Sequence, residues 1–144
     1  MTATPASLWL RLAAALYDLF PLLALWMATA GLALLAVHGN VDLAHPTLGW
    51  RVGLRLALLV VTAAYFIVSW TRGGQTIGMR AWRLRVVGDD GGSISWLRAV
   101  LRFGAAIVSL AVLGLGFVAC LFAKHRDGWH DRIARTHLVR LARA

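Results

Sequence analysis

The sequence of 144 residues contains no glutamate, one lysine and one cysteine, and these absences limit its chemistry. Without glutamate there is no HExxH zinc motif, and Cys120 has no second cysteine with which to form a disulfide or a zinc pair. The sequence also lacks a GxSxG motif and a phosphate-binding glycine loop. We therefore expect a protein that is not an enzyme, with no catalytic residues, no metal site and no cofactor.

Charged residues are scarce and apolar residues are abundant. Hydrophobic residues make up 60% of the chain and charged residues 15%, with a formal net charge of +9. Few soluble domains of this size could bury so much apolar surface. A basic chain is often a nucleic-acid binder, but this hydrophobicity favours a bilayer with anionic headgroups as the partner. We expect one domain over residues 1–144 and no nucleic-acid partner.

Three long apolar runs predict membrane helices. Leu12–Val37 contains one acid, Asp18, and Val52–Trp70 contains Arg55 near its start. Each of these two runs is long enough to cross a hydrocarbon core about 30 Å thick. The third run, Phe103–Ala123, either crosses once or turns back as a re-entrant hairpin. The predicted fold is an all-α membrane protein, a small transmembrane helical bundle. Its predicted helices cover residues 10–37, 52–70 and 95–123.

Basic residues are concentrated in two segments beside the apolar runs. The connection 71–102 contains six arginines, and the tail 124–144 contains six lysines and arginines. Within the connection, apolar residues between the arginines and a following Gly-Asp-Asp-Gly-Gly sequence predict a short interfacial strand and a turn. Since cytoplasmic flanks are enriched in Lys and Arg, we expect both segments at the cytoplasmic face of the cell membrane. A single crossing by the third run would separate them.

Asp18 is the most informative single position, because a carboxylate near membrane depth is costly unless it is paired, protonated or open to water. It predicts either a cation or proton site or a structural ion pair. Arg11 lies seven residues earlier on the same helix face, about 10 Å away, so a direct pair would be stretched. The other candidate partners of Asp18 are Arg55, Arg98, Arg102 and an arginine of the C-terminal tail that reaches back.

Four fragments of the sequence together resemble the RDD family of small membrane proteins. They run from Arg11 to Asp18, from Gly74 to Arg80, from Leu97 to Arg102 and from His130 to Thr136. By this resemblance Arg11, Asp18 and Asp131 are the arginine and two aspartates that give the family its name. Arg135 stands where the family usually has glycine. The resemblance implies an integral membrane protein of a largely uncharacterised family, for some members of which cation or proton antiport is proposed.

Two functions follow as hypotheses. In the first, Asp18 binds a transported cation, proton or small solute at mid-depth, while Arg11 and Asp131 form a salt-linked gate. Because two or three helices enclose little volume, this function needs a homo-oligomer or a larger membrane partner. In the second, the arginine-rich face of an accessory or scaffold protein binds anionic lipid or a membrane partner without transport. The same three residues then hold the fold together.

Overall fold

A computed structural model of the protein describes residues 4–89, 91–111 and 133–141. It is mostly helical, and two long helices joined by a loop at 37–47 form its largest part. In chain order the elements are β1 (Thr4–Pro5), α1 (Leu8–Ala36), α2 (Leu48–Gly73), α3 (Ile77–Ala81), β2 (Leu84–Gly88), α4 (Trp96–Ala111) and β3 (Thr136–Arg140).

The two long helices, α1 and α2, pack against each other and leave most of their apolar surface exposed. Both are long and apolar enough to cross a membrane. The Trp26 indole donates a hydrogen bond to the Thr62 hydroxyl at 2.9 Å, which joins the helices within their apolar stretch. Large side chains such as Phe20, Leu32 and Val60 remain exposed. A surface of this kind is unfavourable in water and is typical of helices surrounded by lipid.

Local signals in the sequence set both ends of α2. The Thr47 hydroxyl accepts a hydrogen bond from the Trp50 backbone N–H at 3.3 Å and caps the first turn. The helix ends at Gly73 and is capped by Gly74, which has a left-handed φ of 68° and donates its N–H to the Trp70 carbonyl. Because a Cβ at Gly74 would lie 2.9 Å from the Val86 carbonyl oxygen, glycine is the residue that fits this stop.

Three strands form a small antiparallel sheet at the end of the helix pair opposite the 37–47 loop. The strand order is β1-β3-β2, with Leu84 opposite Arg140 and Gly88 opposite Thr136. The expectation of an all-α fold is therefore wrong in this part of the molecule. The expected strand in the connection corresponds to β2, whereas β1 and β3 were not expected. The alternation in β3, which buries Thr136 and Leu138, was obscured by the basic residues around it.

The sheet fixes which parts of the chain lie together. The segment before α1, the connection after α2 and residues 136–140 all contribute a strand to it. The chain that leaves this sheet after Gly88 and continues into α4 therefore returns to the same sheet at Thr136. The third apolar run, Phe103–Ala123, lies between these two points. The end of this run, residues 112–123, lies outside the described residues.

Helix α4 turns its charged side inward and its apolar side outward. Arg102 is 3% exposed, with its guanidinium 5.0 Å from the centre of the Trp70 ring and its Nη1 donating to the Thr136 hydroxyl at 2.8 Å. Leu97 and Val108 are more than half exposed. A helix on the surface of a soluble protein has its apolar residues toward the core and its charged residues toward water. The exposed face of α4 is thus suited to lipid, like those of α1 and α2.

Candidate functional site

Asp18 is the centre of a buried polar cluster, which we call the Asp18 cluster and which also contains Tyr65, Thr76 and Gly78. Asp18 is 2% exposed. Its Oδ1 accepts hydrogen bonds from the Tyr65 hydroxyl at 2.6 Å and from the Gly78 backbone N–H at 2.8 Å. Its Oδ2 accepts one from the Thr76 hydroxyl at 2.5 Å. One carboxylate of α1 therefore binds α2, the turn after α2, and α3.

The Asp18 cluster also satisfies the first turn of α3. The first N–H groups of a helix have no partner within the helix and carry partial positive charge. The Ile77 N–H donates to the Tyr65 hydroxyl oxygen at 3.2 Å, and the Met79 N–H donates to the Thr76 hydroxyl oxygen at 3.2 Å. The N–H groups of Ile77, Gly78 and Met79 are thus hydrogen-bonded to Asp18, Gly78 directly and the other two through one hydroxyl each. The negative charge of Asp18 lies where this helix end favours it.

Gly78 allows α3 to approach α1 closely enough for these contacts. A Cβ at this position would overlap the Ala14 carbonyl oxygen and lie 2.9 Å from the Asp18 Cγ. On the other side, the same segment is attached to the sheet. The Val86 N–H donates to the Gly74 carbonyl at 2.7 Å, and the Gln75 side-chain amide donates to the Leu84 carbonyl at 2.7 Å. Residues 74–79 therefore join the helix pair to β2.

Asp18 lies nearer the N-terminal end of α1 than its middle. Leu19–Ala36 comprises 18 residues without a charge, which is about 27 Å of helix. This length is close to the thickness of a hydrocarbon core. The long uncharged stretch after Asp18 favours a position nearer the sheet end of α1, and its placement at mid-depth stays a prediction.

None of the arginines predicted as partners forms an ion pair with Asp18 in the described parts of the chain. Arg55 is exposed on α2, Arg98 is half-buried, and Arg102 donates to Thr136. Arg11 is 6% exposed, and its Nε lies 3.5 Å from the Ala6 carbonyl oxygen that it donates to. The expected ion pair of Asp18 is thus replaced by hydrogen bonds from neutral donors. Asp131, the third residue of the RDD pattern, lies outside the described residues.

Tyr65, Thr76 and Gly78 were not predicted as site residues, although the sequence contains signals for two of them. Thr76 precedes a short helical segment, where a hydroxyl residue is typical of an N-cap. Tyr65 is a residue with a hydroxyl inside a run of apolar residues, where such a group needs a partner. Their common partner could not be deduced, since 47 to 60 residues separate it from its three donors.

A second feature of this end of the molecule is a group of exposed arginines, which we call the basic face. It consists of Arg72, Arg80, Arg83, Arg85, Arg135 and Arg140. Asp89 is the one exposed acid among the described residues at this end, and its Oδ1 lies 3.1 Å from the His137 Nε2. The opposite end of the helix pair has Arg51 and Arg55. The two ends therefore differ strongly in exposed positive charge.

Two arginines of the basic face have a strained backbone. Arg83 has a φ of 55° and Arg135 a φ of 50°, and each directly precedes a strand. Glycine adopts this left-handed conformation readily, whereas for other residues it costs about 1–2 kcal/mol. The structure thus gives a physical reason for a glycine at the position of Arg135, which the resemblance to the RDD family implies.

Comparison of the sequence with known proteins gives a match to a protein family. A sequence model described as the RDD family matches residues 5–135, a range that contains Arg11, Asp18 and Asp131. No curated protein and no solved structure matches the chain.

Proposed function

Because the chain belongs to the RDD family of small membrane proteins, we propose that α1 and α2 cross the cell membrane and that the basic face is cytoplasmic. The larger number of exposed arginines at the sheet end supports this orientation, since cytoplasmic flanks are enriched in Arg and Lys. The pairing of β2 with β3 supports a third apolar run that enters and leaves the membrane on that same side, as a re-entrant hairpin does.

Within this membrane, we propose that the chain is a non-transporting accessory protein whose basic face binds anionic lipid headgroups. The observation that carries this function is the group of six exposed arginines beside the end of the crossing helices. Each Arg or Lys close to an anionic lipid surface contributes about 1 kcal/mol to binding. The role is one of binding and not of catalysis.

The strained arginines support the same function. Arg83 and Arg135 have a backbone conformation in which glycine would be more stable, and both side chains are exposed. Packing does not require a side chain at an exposed position. We therefore infer that arginine stands at these two positions, in place of the more stable glycine, because its guanidinium group has a function. A negatively charged surface in contact with β2 and β3 would use both groups.

The Asp18 cluster supports a structural role for its carboxylate. Its two oxygens accept three hydrogen bonds, and each hydrogen points toward the carboxylate. A cation at Asp18 would face these hydrogens and would have to displace the donors. We therefore assign Asp18 the task of holding α3 and the turn before it against the helix pair.

Lipid retention tests the proposed function. Purified protein in detergent is mixed with equal amounts of phosphatidylglycerol and phosphatidylcholine, and the lipids that stay bound are counted by native mass spectrometry. We expect an excess of phosphatidylglycerol that falls as salt increases, because surface charges are screened. The variant Arg83→Gln/Arg135→Gln should lose more of this excess than the control variant Arg51→Gln/Arg55→Gln. Equal retention of the two lipids by the wild type would overturn the proposal.

Transport is a second candidate, because the buried carboxylate of Asp18 is next to the hydroxyl oxygens of Tyr65 and Thr76. These oxygens are suitable ligands for a small cation once their hydrogens turn away. This function would require a homo-oligomer or a larger membrane partner, since α1, α2 and α4 alone enclose little volume. Proteoliposomes with a sodium or pH gradient distinguish the two functions. Flux above that of empty vesicles, abolished in Asp18→Asn but retained in Tyr17→Phe, would favour transport over the accessory role.

A further inference from the structure

Two consecutive glycines at the end of α2 are in contact with two arginine side chains. The Arg80 Nη2 lies 3.6 Å from the position that a Cβ on Gly73 would occupy. The Arg85 Nε lies 3.1 Å from the corresponding position on Gly74. The Cα atoms of neighbouring residues are 3.8 Å apart. Two guanidinium groups, one from α3 and one from β2, therefore lie against the same two residues, which we call the diglycine step.

The charges at the diglycine step are not balanced by acids. In the described ranges of the chain neither Arg80 nor Arg85 forms an ion pair, and both side chains are exposed. The C-terminal end of α2 contributes the equivalent of about half a negative charge. Two guanidinium groups exceed this charge, so the step remains positive and attracts an anion.

The diglycine step also lies at the level where a membrane has its phosphates. The apolar run of α2 ends at Trp70, and the step follows within one turn of the helix. In a crossing helix this position is at the boundary between hydrocarbon and headgroups. The lipid-exposed surface of α2 therefore leads directly to the two arginines.

From this arrangement we infer a specific binding site for the phosphate of a phospholipid headgroup at the diglycine step, formed by Arg80 and Arg85. The inference rests on the proposed function and assigns it a site within the basic face. Guanidinium groups bind phosphate oxygens in pairs of parallel hydrogen bonds. A phosphomonoester headgroup, which has three free oxygens and up to two charges, suits two such groups better than a diester. Among the described residues, a Cβ on Gly73 would have only the Arg80 guanidinium within 4 Å, which leaves room for the phosphate beside the backbone there, whereas Arg85 and the Val86 carbonyl already fill the space beside Gly74.

The test compares two variants that remove the same charge from the same face. Arg80→Gln/Arg85→Gln removes the site, whereas Arg135→Gln/Arg140→Gln removes two exposed arginines elsewhere on the face, one directly before β3 and one at its end. That strand pairs with one edge of β2, and the Gly74–Gln75 segment lies along the other edge. Retention of phosphatidic acid is measured by native mass spectrometry, with phosphatidylcholine as the reference. We expect about a tenfold greater loss of affinity for the Arg80/Arg85 variant, the effect of losing charge-assisted hydrogen bonds.

Two further variants keep the fold and test the geometry of the site. Arg80→Lys/Arg85→Lys preserves the charge but removes the planar pairs of donors, and should lose most of the preference for phosphatidic acid over phosphatidylglycerol. Gly73→Ala preserves both arginines. Its methyl group would make an ordinary contact with the Arg80 guanidinium, so we expect a stable protein with weaker phosphatidic acid retention. Thermal midpoints of the arginine variants should equal that of the wild type, since the substituted arginines are exposed, and that of Gly73→Ala should be no lower, since alanine favours a helix.

The outcomes separate the site from the proposed function. Equal losses in the two glutamine variants, with anionic lipid still preferred by the wild type, would overturn the site and leave the basic face as a diffuse binding surface. No preference of the wild type for either anionic lipid over phosphatidylcholine would overturn the proposed function and the site together. Displacement of bound phosphatidic acid by millimolar inorganic phosphate would also overturn the inference, because the site would then take free phosphate instead of a lipid.

Discussion

Asp18 and Asp42 accept similar sets of hydrogen bonds at opposite ends of the helix pair, and they differ in what those bonds connect. Asp42 accepts from the N–H groups of Ala44 and His45 at 2.9 and 3.2 Å, and its Oδ2 is 3.2 Å from the His45 ring. Every partner is within three residues and exposed. The three partners of Asp18 are 47 to 60 residues away and surround it almost completely.

The comparison shows that burial and chain separation decide what an aspartate does for a fold. Water can replace the partners of Asp42 as soon as its turn opens, so its hydrogen bonds stabilise that turn and little else. Water has little access to the Asp18 carboxylate, which is 2% exposed, and opening the cluster separates three elements at once. Loss of the Asp18 carboxylate would leave buried donors without partners, a penalty much larger than the net gain from one hydrogen bond.

The largest expected effect is that of Asp18→Ala. This change leaves the buried Thr76 hydroxyl and Gly78 N–H without their acceptor, each at about 1–3 kcal/mol, and also removes the acceptor of the half-buried Tyr65 hydroxyl. We expect the free energy of unfolding to fall by about 4 kcal/mol, measured by denaturant titration of the purified protein in detergent. Asp42→Ala is the matched control, and its unfolding midpoint should stay close to that of the wild type. Similar losses in the two variants would show that the Asp18 cluster is not what holds α3 in place.

The next largest effect is expected for Gly78→Ala, which keeps every side chain of the Asp18 cluster. The added methyl group overlaps the Ala14 carbonyl, so α3 must move away from α1 and the Gly78 hydrogen bond to Asp18 lengthens. Overpacking and the weakened bond together should lower the unfolding free energy by about 3 kcal/mol. Gly53→Ala in α2 is the control, because nothing lies within 4 Å of its Cβ and alanine favours a helix. A stable Gly78→Ala variant would contradict the close approach of the two helices.

The sequence predicted the long helices well and the Asp18 cluster poorly, for one physical reason. Apolar runs are a local signal, and α1 and α2 enclose nearly all of the first two predicted spans. Asp18 was identified by its cost in an apolar environment, which is also local. Arginines were predicted as its partners because a buried negative charge is often paired with a positive one. In the structure its oxygens instead accept hydrogen bonds from two hydroxyls and a backbone N–H that the fold brings together. The sheet was missed in β1 and β3 because short strands acquire their stability from pairing across long separations.

A smaller effect is expected for Tyr65→Phe, which removes one of the three donors to Asp18. The Ile77 N–H also loses its acceptor, but Ile77 is exposed and water can replace it. We expect a decrease of about 1–2 kcal/mol in the free energy of unfolding. The sequence offers Tyr17→Phe as a matched control, because the Tyr17 ring keeps its edge contact with Trp82 and its hydroxyl bonds to none of the described residues. Equal effects of the two substitutions would remove Tyr65 from the cluster.

The smallest effect is expected for Asp42→Asn, although the local turn lowers the pKa of Asp42. The N–H groups of His45 and Ala44, and then the His45 ring, hold the pKa of Asp42 below the ordinary value of an aspartate. Since the folded form binds a proton less readily, any stability from this carboxylate is present above the ordinary pKa and is lost as the pH falls through the lowered value.

Asparagine keeps the side-chain oxygen that accepts both backbone N–H groups, so the turn survives the substitution. At neutral pH we expect no measurable change in the thermal midpoint of the Asp42→Asn variant. In the wild type, an NMR titration of the aspartate carboxyl carbons should show a pKa of Asp42 below the ordinary value. Screening by water at this exposed position keeps the effect small. An unfolding midpoint lowered as far as in Asp18→Ala would mean that an exposed aspartate can organise distant elements, and the contrast between the two ends would fail.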